Sequence, residues 1–127
     1  MSSKTERQAS DFTPGTPNAI DGGTSSVAYT LSGLGLSAGS YMTIRLDGGG
    51  TRAHVRFGTS ALMTVDRTTR NTGTPPASTA AANAPHISVA DGEGYVHVRI
   101  PADSTHLALQ CEAASGVVRI MHATGLG

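Results

Sequence analysis

Apolar and polar side chains alternate with a period of two through one short run after another, and each run is closed by a cluster of glycine, proline or aspartate. Met42, Ile44 and Leu46 share a face, as do Val55 with Phe57, Val96 with Val98 and Ile100, and Val118 with Ile120. That period places apolar groups on one side of a strand, and burying each contributes roughly 1.5 to 3 kcal/mol. The runs at 27–31, 41–46, 52–57, 62–66, 86–90, 95–100, 105–111 and 117–122 read as strands. Between them lie GLGLSAGS, DGGG, GTS, DGEG, PADS and EAASG, which are turn compositions; DGGG and DGEG read as hairpin turns. The best helical candidate, SALMTVDRTTR, is short and interrupted by threonines. The expected fold is all-β, an antiparallel β-sandwich or jelly roll of about eight short strands with an extended N-terminal arm.

A chain of 127 residues is most simply one domain. Residues 1–25 carry few core candidates beyond Met1, Phe12 and Ile20, too little apolar surface to offset the entropy of ordering them. They read either as a loose terminus or as an arm ordered on a partner, with Phe12 and Ile20 as anchors. Residues 26–127 form the sandwich domain. Within it RTTRNTGTPPASTAAANAP, residues 67–85, lacks any apolar period and reads as a projecting contact loop.

Nine basic and nine acidic residues cancel, and eight of the basic ones are arginines spread along the chain. Without a net positive field or a basic run, neither nucleic acid nor a membrane surface is an expected partner. The apolar stretches are too short to span a bilayer, and MSSKTERQASDF lacks the apolar stretch of a secretory signal, so synthesis in the cytoplasm is expected. Cys111 is the sole cysteine and reads as a small buried hydrophobe in a strand.

No cofactor or metal is expected. The strands read HVR rather than HxH, and His86, His106 and His122 have no zinc or iron spacing. DGGG and DGEG do not continue into a calcium loop, and GLGLSAG, with no helix after it, reads as a flexible connector rather than a phosphate cradle. There is no GxSxG elbow, and nothing in the spacing brings a serine, histidine and acid together, so the chain is not expected to be an enzyme.

AHVRFG, VHVRIP and VVRIMH echo one another. If Val55, Phe57, Val98, Ile100, Val118 and Ile120 face the core, then His54, Arg56, His97, Arg99 and Arg119 face away, joined by Arg45 and Arg52. Such a face is either solvated and balanced by aspartates or a docking surface for carboxylates, for which the arginine fork is suited. Arginines opposite one another repel unless acids intervene.

The series AHVRFGTSALMTVD followed by HISVADGEGYVHVRIPADSTHLALQCEAASGVVRIMHATGLG resembles small structural proteins of tailed-bacteriophage virions, over residues 41–127. The resemblance implies a β-sandwich or jelly roll on the capsid surface, assembled in the host cytoplasm, that decorates the head and cements adjacent subunits of the major capsid protein. It also implies a homo-oligomer, a dimer or trimer, and no catalytic residues. The candidate partner-binding residues are then Phe12, Ile20, Arg45, Arg52, Arg56, Arg67, Arg70, Arg99 and Arg119. The alternatives are a head-to-tail joining or tail-associated protein, and a receptor- or glycan-binding sandwich; five aromatics and no tryptophan disfavour the last.

Overall fold

Alternation sets Met42, Ile44 and Leu46 on one side of β4 (Tyr41–Asp47), and Ala53, Val55 and Phe57 on one side of β5 (Arg52–Gly58). All six are buried, facing each other between two sheets. The computed structural model describes residues 13–14, 17–69 and 83–124. The other strands are β1 (Thr13–Pro14), β2 (Asn18–Asp21), β3 (Val27–Thr30), β6 (Ile87–Ala90), β7 (Val96–Arg99), β8 (His106–Cys111) and β9 (Val117–Thr124). In the first sheet β1 and β2 lie along one edge of β9, followed by β4 and β7; in the second the order is β3, β8, β5, β6. Every strand pair is antiparallel. The chain is an antiparallel β-sandwich.

The pairs are nested: β5 with β6, β4 with β7, β3 with β8 and β2 with β9. From β2 onward, every connection except β5–β6 therefore passes from one sheet to the other. DGGG and DGEG are consequently corners between sheets and not the expected hairpin turns. Gly48, Gly49 and Gly50 all have positive φ, and three successive left-handed residues carry the chain across rather than back along its own sheet. The Asp91 carboxylate accepts the Gly48 and Gly50 N–H groups, each at 2.9 Å, and so fastens the two corners together.

Seven of the eight expected runs are strands, and the run at 62–66 is not. Its Met63 and Val65 do point to one side, but they pack on the outside of the second sheet, against Ala108 and Ala28. The Val65 N–H donates to Ser26 Oγ (2.9 Å), the Arg67 N–H to Gln110 Oε1 (2.9 Å), and Arg56 to the Thr64 carbonyl (3.0 Å). The segment is a strap held mainly by side chains, and among the described residues its backbone pairs into no strand.

The eighth full strand comes from the expected arm. β2 pairs with β9, Asn18 Nδ2 donates to the Leu34 carbonyl at 2.7 Å, and Ile20 turns inward against the core. The open edge of β9, with its unpaired backbone groups, accounts for the ordering of a segment so poor in apolar residues. Ile20 is therefore half-buried against this chain's own core. GLGLSAG is also more than a connector. A 3-10 turn, Ser32–Leu34, lets Leu31, Leu34 and Leu36 close one end of the sandwich. Cys111 is buried in β8, as its sequence context predicts.

Candidate functional site

Because β4, β7 and β9 lie in one sheet and β5 in the other, the outward arginines divide between opposite faces. Arg45, Arg99 and Arg119 belong to the first sheet, and Arg52 and Arg56 to the second, with Arg67 in the strap above it. The single basic face expected from the echoed words does not exist. Phe12 and Arg70 lie outside the described residues, as do most of the proposed arm and contact loop. Asp66 N–H donates to the Asn83 carbonyl at 2.9 Å, which fixes the base of that loop.

On the first sheet the register sets Arg45 directly opposite Arg119. Asp47 intervenes: its carboxylate sits 2.8 Å from Arg45 Nε and hydrogen-bonds Arg119 Nε. The hydrogen bonds from Arg119 and Arg45 hold the Asp47 carboxyl below its ordinary range. The Arg45 guanidinium also lies over the Tyr95 ring, 4.6 Å from its centroid, so this cation is engaged on two sides. Arg99, on the edge strand β7, is exposed, its Nε reaching the Gly39 carbonyl at 3.4 Å.

The second sheet carries a different arrangement. His54 points outward from β5 yet is only 6% exposed. Its Nδ1 is 2.6 Å from Ser88 Oγ on β6, and its Nε2 is 2.9 Å from Glu112 Oε2 at the start of the β8–β9 corner. Antiparallel register explains the first contact, since His54 and Ser88 are directly opposed. The hydrogen bond from His54 lowers the Glu112 carboxyl below its ordinary range, and the charges of Arg67 and Arg52 add to this. An ionised carboxylate accepts only, so His54 Nε2 carries a proton; in the neutral ring Nδ1 is then the acceptor and the Ser88 hydroxyl donates to it.

No protein-family model, curated protein or solved structure matches the chain. The site therefore rests on its own geometry.

Near this trio, Arg52 and Arg56 flank His54 on β5, and His86 stacks on Phe57 with ring centroids 6.1 Å apart. The Phe57 N–H donates to His86 Nδ1 at 3.0 Å, which requires that nitrogen to be unprotonated. Partial burial lowers the pKa of His86, and the charge of Arg56 lowers it further. Sequence reading placed His54 and the arginines on outward faces but missed Ser88, Glu112, Asp47 and Tyr95 as their partners. The missing information was strand register. Among the described residues no group of three or more metal-ligating side chains is gathered, and no helix is long and apolar enough to cross a membrane.

Proposed function

We propose that the chain is a structural protein of a tailed-bacteriophage particle, binding the outside of the capsid and cementing adjacent major capsid subunits. What supports this reading is the nested pairing of β2 through β9, which we read as the winding of a jelly roll, an architecture used by viral capsid and lectin domains. It agrees with the resemblance of residues 41–127 to small virion proteins. The two outward faces give such a protein two places to meet neighbours. Arg99 on one face and Arg52 on the other are exposed cations suited to shell carboxylates. Arg45 and Arg119 are already occupied by Asp47 and act in the fold before they act in docking.

The test is quantitative mass spectrometry of purified particles from producing cells, comparing this chain with the major shell protein. Near-stoichiometric amounts are expected. A trace but reproducible amount instead indicates a head-to-tail joining or tail-associated protein, and absence from all particles overturns the virion reading. Arg99→Glu and Arg52→Glu, each tested for particle occupancy, identify which face docks: the variant on the docking face loses occupancy while keeping its fold. Removing residues 1–12, which leaves β2 in place, measures the contribution of the arm.

A further inference from the structure

Ser88, His54 and Glu112 come from three separate elements and form one continuous hydrogen-bonded chain on the outer face of the second sheet. We propose that Ser88 is an activated nucleophile, with His54 as its general base, and that this face hydrolyses small acyl esters. The inference does not depend on the virion reading and adds a chemical step to the outer face of the second sheet.

Four observations support it. Both distances, 2.6 and 2.9 Å, lie within the reach that proton transfer requires. The histidine is buried while the serine is exposed, so the base is held in place and the nucleophile faces arriving molecules. Glu112 fixes the tautomer in which Nδ1 is free to take a proton, which makes it a positioning residue. Arg52 also stands diagonal to Ser88, because Arg52 opposes Ala90 and His54 opposes Ser88. Its exposed positive charge is therefore on the same face as Ser88, the kind of group that would favour negative charge developing on a carbonyl oxygen.

In the first step Ser88 Oγ bonds to the acyl carbon as its proton passes to His54 Nδ1. The bond from that carbon to the alcohol oxygen breaks, and the leaving alcohol takes the proton from His54. In the second step water gives a proton to His54 and its oxygen to the acyl carbon. The bond to Ser88 Oγ breaks, the serine recovers its proton, and a carboxylic acid leaves. The sum is ester plus water to acid plus alcohol.

The test uses the full chain and p-nitrophenyl acetate, following release of p-nitrophenolate and locating acetyl groups by peptide mass spectrometry. An acetyl group on Ser88 is expected in the folded protein and not in urea. Ser88→Ala abolishes that adduct, His54→Gln slows acylation about 100-fold, and Glu112→Gln lowers the rate and shifts its pH profile. Since His54 is buried and its replacement can unfold the chain, the exposed Ser88→Ala variant decides the matter. Acetyl groups confined to Lys4 and the terminal amine, or a Ser88→Ala variant that reacts at the wild-type rate, overturn the proposal.

Discussion

Four side chains illustrate how single groups set the response of this protein to its surroundings. His86 accepts the Phe57 N–H through an unprotonated nitrogen, and burial lowers its pKa. Folding therefore favours the neutral ring. Below about pH 6.5 the unfolded chain binds more protons at this position than the folded one, so stability falls with acid. Asp47, Asp66 and Glu112 are lowered carboxyls, held down respectively by Arg119 and Arg45, by Thr68 and by His54. Their contribution is complete above the ordinary carboxylate range and is lost as pH falls through their lowered values, below about pH 4. Urea midpoints measured against pH should decline first below about 6.5 and more steeply below about 4. His86→Asn, whose carbonyl oxygen can take the Phe57 N–H without titrating, should remove the first decline and leave the second. Asp47→Asn should leave Arg45 and Arg119 facing each other without an acid, and the resulting loss of thermal stability should shrink as salt is added.

At the scale of elements, the corners and the strap carry the tightest constraints. Gly116, with φ 93°, sits where an added Cβ would meet the Gly48 carbonyl oxygen at 2.6 Å. Gly116→Ala should lose about 1–3 kcal/mol in chemical denaturation, since both the backbone angle and the facing backbone resist it. The strap depends on Val65, which is buried on the outer face. Val65→Ala should expose the Val65 and Arg67 amides to hydrogen exchange ahead of the sheets, because the side-chain bonds that protect them loosen with the strap. These elements also show what the sequence made legible. Period-two runs identified seven strands, because each has one face buried and one outward. The run at 62–66 has the same period, and periodicity alone does not reveal which surface receives it. The available signal was Ala28 and Ala108, small apolar residues at outward positions that mark a covered face. β2 was missed because its pairing draws on the edge of β9, about 100 residues away, and not on its own composition. The Ser88–His54–Glu112 chain was hidden for a similar reason: no local spacing encodes a contact made by opposed strands and a distant corner.

For the molecule as a whole, nested pairing joins the beginning of the chain to its end. β2 pairs with β9 and β3 with β8, so the sheets cannot form until distant parts of the chain meet. Refolding from denaturant should take milliseconds to seconds, as in other β-sandwiches rich in non-local pairs, and a stopped-flow relaxation in microseconds would contradict this winding. The same pairing has a mechanical side. Thr13 on β1 lies directly opposite Thr124 on β9, with the two strands antiparallel. Tension drawn through both would peel β1 and then β2 from β9, loading one hydrogen bond at a time as a zip opens. Tension entering through the broad outer faces would be shared across many strands at once. A clamp built on this scaffold should therefore be gripped by its faces, and its ends should make poor tethers.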